Sequence, residues 1–355
     1  MALRCRVPAK LIISGEHAVV YGQPALSMAI NLSTECLLNH HRTDQTHLHF
    51  NLANYNLKQT FSLDQAWIKA NSINQAYQDF LIGSTPLNQV CTTAYDLPLL
   101  CCYFFDQIYG LMPGEWDIGL QSNAWRGRGL GSSAAIIVSL LSTLFKAHHL
   151  DDRQQLLMLA KKIESYQHGQ SSGIDPTTIA TGGLIRYQLN QPTQSIAARD
   201  LDAWLVDTGE PSASTGECVQ QVKTQFAKNQ ACWQAFANCT EQLQQAWLNQ
   251  NTALFLHHLQ TNHRLLTQIG VVPTKVQTFI DQLEQPGLVA KLCGAGSVSG
   301  DAAGVLLIVS DPQQFKNPKD HTKDYLTPLC EQWGYRLQKV KLVNKAIQCE
   351  LIPAP

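Results

Sequence analysis

The stretch Trp125-Arg126-Gly127-Arg128-Gly129-Leu130-Gly131-Ser132-Ser133-Ala134-Ala135 places three glycines and two serines directly before an apolar run, residues 136–145, which predicts a buried helix. Glycine lets the backbone approach a ligand closely and adopt a positive φ. A helix N-terminus offers unpaired N–H groups and the positive end of its dipole to an anion such as phosphate. The serines suit helix capping or metal ligation. The stretch therefore predicts a phosphate-binding loop; the alternative is a glycine-rich turn before a buried helix.

Length and composition predict a globular chain of two domains. The 355 residues exceed the usual size of one domain, and 45% of them are apolar while 15% are charged. The net charge of −1 gives no electrostatic basis for binding nucleic acid or an anionic membrane. No apolar run approaches the roughly 20 residues that a membrane span needs. We therefore expect neither a nucleic-acid partner nor a membrane partner.

The N-terminal segment and the cysteines predict a cytoplasmic protein. Residues 1–10 are basic, but the apolar stretch that follows is interrupted by Glu16 and His17, which is not the pattern of a secretory signal. The eleven cysteines contain no Cys-x-x-Cys pair. An odd number of cysteines in such a chain predicts reduced thiols and argues against a structural metal.

The order of the predicted elements favours an α+β fold over a doubly wound sheet. Strands are predicted at residues 11–13 and 25–32, and weak alternation over residues 36–64 predicts antiparallel strands. Glutamine-rich stretches with regularly spaced Phe, Trp and Leu predict packed helices over residues 217–270. The other predicted helices are 64–80, 97–109, 152–167, 275–283 and 323–333, and the other predicted strands are 116–121, 184–189, 201–206, 289–293, 303–309 and 337–343.

Two carboxylates and a histidine follow the phosphate loop. Glu164 and His168 are four residues apart and share one helix face, and Asp175 lies in the turn-rich loop beyond them. A carboxylate facing a phosphate loop is a natural ligand for Mg²⁺, and a second one can orient or deprotonate a substrate hydroxyl. The alternatives are a solvated carboxylate at 164, a helix-capping histidine at 168 and a helix cap at 175 with Pro176 in the first turn.

Lys10, Glu16 and His17 are further candidates near the N-terminus. Lys10 begins an apolar strand, where a lysine is costly unless it is paired, so it is a candidate partner for Asp175 or for a transferring phosphoryl group. The alternative is an edge lysine whose ammonium reaches solvent. Glu16 and His17 follow a glycine in a turn and can either contact a polar substrate or be ordinary turn residues.

The order of these motifs resembles that of the GHMP small-molecule kinases. The matching segments lie near residues 8–22, 127–135, 164–175 and 291–296, so the resemblance spans nearly the whole chain. Within that superfamily, Gly15-Glu16-His17-Ala18-Val19-Val20-Tyr21-Gly22 and His168-Gly169 with Ser172-Gly173-Ile174-Asp175 look most like the mevalonate kinase family. A second glycine turn, Gly294-Ala295-Gly296, matches the third motif of the superfamily.

The resemblance implies an architecture and an activity. It implies a ribosomal-protein-like N-terminal domain over residues 1–210 and a ferredoxin-like C-terminal domain with extra helices over residues 211–355. ATP and substrate would lie between them. The implied reaction is ATP-dependent phosphorylation of the C5 hydroxyl of mevalonate in isoprenoid biosynthesis, with Mg²⁺ as cofactor and a homodimer as a plausible assembly.

The same resemblance implies a role for each candidate residue. Asp175 would be the catalytic base and Lys10 its charged partner. Ser133 and Glu164 would bind Mg²⁺, and the substrate would contact Glu16, His17, Ser172 and Thr215. The residues implied to bind ATP are Arg128, Gly129, Leu130, Gly131, Ser132, Ser133, Ala134, Gly294, Ala295 and Gly296.

Three departures from the superfamily pattern keep other readings open. Ala9 stands where glycine is usual, Trp125-Arg126 replaces prolines, and Ser297-Val298-Ser299-Gly300-Asp301 replaces a glycine run. The β-branched Val298 disfavours positive φ, so we expect this last segment to follow a different path. One alternative is another GHMP kinase that acts on a phosphorylated isoprenoid precursor, which clustered Lys or Arg beside His17 would favour, or on a sugar. The other is a non-catalytic metabolite-binding homologue, which would need no base.

Overall fold

The computed structural model describes residues 2–197, 199–284, 287–310 and 318–353. They form two β-sheets with helices packed against them, which confirms the predicted α+β class. No helix within these ranges is both long and apolar enough to cross a membrane.

The first sheet has eight strands in the described part of the chain, in the order β12-β1-β2-β5-β3-β4, with β6 on β2 and β7 on β6. Its strands are β1 (Ala2–Ser14), β2 (Ala25–His41), β3 (His47–Leu52), β4 (Leu57–Ser62), β5 (Glu115–Ser122), β6 (Leu184–Tyr187), β7 (Gln194–Ile196) and β12 (Gln348–Ile352). The helices α1 (Leu63–Leu81), α2 (Asp96–Tyr109), α3 (Ser132–Ala147), α4 (Arg153–His168) and α5 (Ile174–Thr181) belong to the same half.

The second sheet is antiparallel throughout its described strands, in the order β11-β8-β10-β9. Its strands are β8 (Asp202–Asp207), β9 (Leu288–Cys293), β10 (Val305–Ser310) and β11 (Arg336–Lys341). The remaining helices are α6 (Thr215–Phe226), α7 (Gln230–Leu248), α8 (Thr252–Gln268), α9 (Thr274–Glu284) and α10 (Pro318–Trp333).

Helix α3 is the centre of the first core. Its apolar residues lie on every side of the helix, so α3 has to be surrounded by protein to keep them out of water. It packs between the strands β1 and β2 and the helices α2 and α4. The glycine stretch therefore ends at a helix whose position is fixed by its own burial, and this fixes the place of the loop.

The length, the pairing and the number of the strands differ from the sequence prediction. Strand β1 runs from Ala2 to Ser14, well beyond the predicted 11–13, and β3 pairs with β5 in parallel, whereas only antiparallel pairing was predicted. Strand β12 was not predicted, and its residues are half-buried or exposed. The sheets also do not divide the chain at one position: β8 ends before residue 210 yet belongs to the second sheet, and β12 returns to the first.

The prediction that all thiols are reduced was wrong for one pair. Cys5 on β1 and Cys349 on β12 are directly opposite in the antiparallel register and form a disulfide. Residues 344 positions apart meet here only because the C-terminal strand returns to β1, and spacing along the chain carries no sign of that. The other nine cysteines, all within the described ranges, are free.

Candidate active site

A cavity of about 500 Å³ lies where the glycine loops, the end of α4 and the beginning of α6 meet. Most of the residues predicted from the sequence line it. They are Lys10, Glu16, His17, Arg128, Gly129, Gly131, Ser132, Ser133, Glu164, Ser172, Asp175, Thr215, Gly294, Ala295 and Gly296. The side chains of Leu130 and Ala134 lie in the hydrophobic core instead, as their apolar character requires. The fold thus gathers residues from five distant segments around one cavity.

The two glycine loops touch each other across this cavity. Gly129 and Gly294 both have positive φ, and a Cβ on Gly294 would lie 2.9 Å from the Cα of Gly129. Gly131, at φ 71°, ends the first loop, and α3 begins at the next residue. Glycine is required at Gly129 and Gly294 because their backbones meet with no room for a side chain. The free N–H groups at the start of α3 give the cavity wall an anion-binding character.

Arg128 is held by protein rather than left free for a phosphate. Its Nε donates to Asp207 Oδ1 at 2.7 Å, and Arg336 donates to the other oxygen of the same carboxylate. Asp207 is buried at the end of β8, so the pair ties the first glycine loop to the second sheet. Any contact between Arg128 and ATP would therefore involve its backbone or require this pair to open.

Lys10 and Asp175 form an ion pair, with 2.9 Å between Nζ and Oδ1. The Lys10 side chain is 3% exposed and that of Asp175 is 21% exposed, so the pair is largely buried, and both residues line the cavity. The backbone N–H of Lys10 donates to Leu130 O at 3.1 Å, and Asp175 lies in the first turn of α5. Contact with Asp175 was one of three interpretations of Lys10 from the sequence, and the pair lies beside Gly131.

Glu164 is a buried carboxyl on the cavity wall. Its Oε2 accepts a hydrogen bond from Ser171 Oγ. Burial, and next the charge of Asp175, raise the pKa of Glu164 to about 8, while the Ser171 hydrogen bond lowers it. A cation at this carboxyl would favour its ionised form.

Ser133 completes the oxygen donors that could hold Mg²⁺. Its Oγ lies 3.1 Å from Nε2 of His168, which is neutral by preference because burial lowers the pKa of the imidazole. No three His, Cys, Asp or Glu side chains form a metal cluster among the described residues. A hydroxyl and one carboxylate nonetheless fit Mg²⁺, which takes few protein ligands and completes its shell with water and phosphate oxygens.

Glu16 and His17 turn toward the third motif. The Glu16 carboxylate pairs with the fully buried Lys291, and His17 Nε2 lies 3.0 Å from Ala295 O. Burial raises the pKa of Glu16, an effect that the charge of Lys291 opposes. Burial also lowers the pKa of His17 to about 4, so the ring is neutral near pH 7. Both residues therefore join the first motif to the strand and loop of the third.

The divergent segment after Gly296 takes a path that suits its residues. Positive φ occurs at Gly294, Gly296 and Gly300 but not at Val298, as the β-branched side chain predicted. Ser297 Oγ donates to Ser299 O at 2.7 Å and accepts from the N–H of Ala213 at 3.3 Å. The segment is thereby tied to the loop before α6, which carries Thr215 into the cavity wall.

Asp301, the negative residue of the divergent segment, faces away from the cavity. Its side chain is 78% exposed and lies 3.7 Å from Lys275 Nζ on α9. The segment therefore adds no negative charge to the cavity wall.

The basic groups on the cavity wall are few. Among the described residues that line it, Lys10 and Arg128 are the only lysine and arginine, and both are paired with carboxylates. The cluster beside His17 that would favour a phosphorylated acceptor is not found in the described part of the wall.

Sequence reasoning missed three residues that organise this site. Ser171 binds Glu164, Lys291 binds Glu16, and Asp207 binds Arg128. Lys291 left a signal, since it is a lysine inside an apolar strand next to a glycine turn. Asp207 ends an apolar strand in the same way, whereas Ser171 lies in a polar loop with nothing to distinguish it.

Comparison with known proteins agrees with the fold. The model of the GHMP kinases N-terminal domain matches residues 96–183. Mevalonate kinase of Thermococcus onnurineus is 26% identical over 314 residues, which cover 83% of this chain and 87% of the relative. The crystal structure of Methanococcus jannaschii mevalonate kinase aligns with a TM-score of 0.75 at 20% identity over 96% of this chain and 98% of its own. Lactococcus lactis galactokinase, solved with galactose, aligns equally well at 16% identity, over 98% and 95% of the two chains.

Residues 96–183 match the GHMP kinases N-terminal domain, and the chain is a small-molecule kinase with an alcohol acceptor. ATP is the phosphoryl donor of this class. Within the class, the sequence is similar over most of its length to mevalonate kinases. The galactokinase alignment shows that the fold alone does not choose the acceptor.

Proposed function

We propose that this chain transfers the γ-phosphoryl group of ATP to the C5 hydroxyl of mevalonate, giving 5-phosphomevalonate and ADP for isoprenoid biosynthesis. The observation that carries the proposal is the Lys10–Asp175 pair, 2.9 Å long, beside Gly131 at the start of α3. A binding protein needs no carboxylate and ammonium at a phosphate loop, whereas a kinase uses both. The sequence similarity to mevalonate kinases and the scarcity of free cations on the described cavity wall support mevalonate as the acceptor.

In the proposed mechanism Asp175 orients the acceptor hydroxyl and takes its proton. The hydroxyl oxygen forms a bond to the γ-phosphorus while the bond from that phosphorus to the β–γ bridging oxygen breaks, and ADP leaves with that electron pair. Lys10 offsets the negative charge that develops on the transferring group. Because phosphoryl transfer needs little covalent help from protein, alignment and charge supply most of the rate enhancement.

The glycine loops would hold the nucleotide. N–H groups of Gly129–Ser133 and the start of α3 are suited to the ATP phosphates, and Gly294–Gly296 close the opposite side. Ser133 and Glu164 would hold Mg²⁺, which offsets the charge of the phosphates. Ser172 and Thr215, both on the wall, would contact the acceptor together with Glu16 and His17.

We propose that the enzyme is cytoplasmic. Nine free cysteines favour a reducing compartment such as the cytoplasm, and the Cys5–Cys349 disulfide is the observation against it. A homodimer stays a prediction that a single chain does not test.

The test is turnover on an acceptor panel. Purified protein and Mg-ATP are mixed with mevalonate, phosphomevalonate, homoserine or galactose, and ADP release is followed. We expect turnover with mevalonate that Asp175→Asn lowers by at least about 10³-fold, as for loss of a general base together with its charge. Asp117→Asn, at an exposed position on β5, is the matched control and should keep full activity. Turnover on another panel member alone would overturn the acceptor assignment, and full activity in Asp175→Asn would overturn the mechanism.

A further inference from the structure

Three cysteines lie side by side on neighbouring strands of the first sheet, away from the cavity. Cys5 on β1 is directly opposite Cys349 on β12 and directly opposite Cys36 on β2. The Cα atoms of Cys5 and Cys349 are 4.1 Å apart, which is the close spacing of a non-hydrogen-bonded antiparallel pair, so Cys5 and Cys36 form the wider, hydrogen-bonded pair. Cys5 is therefore bonded to the nearer of two cysteines in the same row.

Strand β12 buries little of its own surface against the sheet. It is an edge strand that pairs only with β1 in the described part of the chain, and all five of its residues are half-buried or exposed. Its other links to β1 are the backbone ladder and the exposed Arg4–Glu350 ion pair. A surface ion pair contributes little, and an edge ladder without buried side chains opens readily. The Cys5–Cys349 bond is therefore the link that keeps β12 on β1 when the ladder opens.

The segment before β12 lies against the end of the helix that carries the proposed base. The N–H of Gly183 donates to Val343 O at 2.8 Å. A Cβ on Gly182, the residue after α5, would lie 2.8 Å from Asn344 O, so the two backbones are in direct contact. Helix α5 has only eight residues and holds Asp175 in its first turn. Restraining β12 thus restrains the segment that supports this short helix.

One end of the disulfide is open to exchange with an external thiol. Cys5 is fully buried, whereas Cys349 is half-buried on the edge strand, so an incoming thiolate reaches Cys349 first. Burial raises the pKa of the Cys36 thiol to about 12, which keeps this neighbour protonated near neutral pH. One such disulfide beside nine free cysteines in the described ranges is the pattern of a redox-sensing bond, because disulfides in reducing compartments are usually transient.

We infer that Cys5–Cys349 is a reversible redox site, whose reduction by a dithiol releases β12 and lowers kinase activity. A thiolate of the dithiol bonds to Cys349 Sγ, and the Cys5 sulfur leaves as a thiolate that takes a proton. The second thiol of the reductant then attacks the reductant sulfur of this mixed disulfide, and Cys349 leaves as a thiol. The dithiol gives up two electrons and two protons and becomes a disulfide, and the protein gains both.

The chemical step is tested on the folded protein by counting thiols. The protein is incubated without denaturant in dithiothreitol or in oxidised glutathione, desalted in acid, unfolded, alkylated with N-ethylmaleimide and weighed intact. We expect eleven alkylated thiols after dithiothreitol and nine after oxidised glutathione, with Cys5 and Cys349 recovered in one linked peptide. A bond that dithiothreitol cleaves only after unfolding in urea would overturn the inference. So would reoxidation to another pair, such as Cys5–Cys36.

The effect on the fold and on activity is tested by hydrogen exchange and by ADP release. Reduction should speed amide exchange over residues 343–352 by at least about tenfold, and over α5 by a smaller factor. It should lower kcat about three- to tenfold, because Asp175 loses part of its support. The double variant Cys5→Ser/Cys349→Ser should behave as the reduced protein does and should not respond to dithiothreitol. Cys36→Ala, in the same row, is the matched control and should keep the full response.

Reduction that leaves exchange in β12 and α5 unchanged would overturn the inference and make the bond a purely structural one. Loss of the response in Cys36→Ala would overturn it as well, because the response would then belong to Cys36. Thermal denaturation establishes that each variant is folded, and if the double variant is not, reduction of the unmodified protein decides the matter. Thiol counts and hydrogen exchange need no turnover, so inactivity on mevalonate would contradict the proposed function alone.

Discussion

Replacing Gly131 by alanine tests how closely the phosphate loop and the catalytic pair depend on each other. Gly131 has a φ of 71°, and a Cβ there would lie 2.9 Å from both Cγ and Cε of Lys10 and 3.4 Å from Asp175 Oδ2. The methyl group would therefore meet the side chain that pairs with the proposed base. Gly131→Ala should disturb the reacting centre directly.

The magnitude follows from two separable effects. An alanine with left-handed backbone costs about 1–2 kcal/mol in the free energy of unfolding. Ordinary van der Waals contact begins at 3.4 Å, so Lys10 has to move by at least the difference from 2.9 Å, which is 0.5 Å. Misplacement of a reacting group by about 1 Å can lower the rate about 10²-fold, so we expect kcat to fall by roughly one to two orders of magnitude.

Gly334→Ala separates the two effects. Gly334 has a φ of 69°, and a Cβ there would meet nothing within 4 Å, so this variant carries the backbone strain without the contact. Both variants are assayed by urea denaturation and by ADP release with mevalonate. We expect comparable losses of stability, with kcat changed only in Gly131→Ala. If Gly131→Ala keeps more than about a third of kcat, Lys10 is not confined in the way argued here.

Three further predictions concern the groups around the cavity. Burial lowers the pKa of His17 and His263 from 6.5 to about 4, so between these pH values the unfolded chain binds more protons than the folded chain. The free energy of unfolding should therefore fall by about 2 kcal/mol per histidine from pH 7 to pH 5. His17→Gln should remove about half of the combined loss, measured by urea titrations at the two pH values. Asp207→Asn weakens the hold on Arg128 and should raise the KM for ATP about tenfold with little change in the KM for mevalonate; equal changes in both would contradict a specific role in the phosphate loop. Ser171→Ala removes the donor to Glu164 and should raise the Mg²⁺ concentration for half-maximal activity about tenfold at saturating ATP, whereas an unchanged Mg²⁺ titration would count against this positioning role.

The sequence predicted the residues that line the cavity better than the residues that hold them in position. Glycines before an apolar run predict a loop and a helix from local physics alone, and the loop and α3 lie as expected. The β-branched side chain of Val298 likewise predicted that this residue does not adopt a positive φ. Such local signals need no knowledge of which distant segments meet.

The supporting contacts depend on tertiary structure and left weaker signals. Lys291 meets Glu16 across 275 residues, and Arg128 meets Asp207 across 79, so only the folded chain brings each pair together. Cys5 and Cys349 meet for the same reason, because the C-terminal strand returns to pair with β1. A lysine in an apolar strand indicates that a hydrogen-bond or ion-pair partner is present, but the sequence does not identify that partner.

The most direct test of the account is the chemical identity of the product. Proton-coupled ³¹P NMR of a reaction with Mg-ATP and mevalonate distinguishes the positions, because a phosphate ester at C5 couples to two methylene protons and one at C3 has no proton on the adjacent carbon. We predict a phosphomonoester triplet that grows in step with ADP and does not form with Asp175→Asn. A singlet, or free inorganic phosphate in place of an ester, would contradict the assignment of Asp175 and Lys10 to transfer at the C5 hydroxyl.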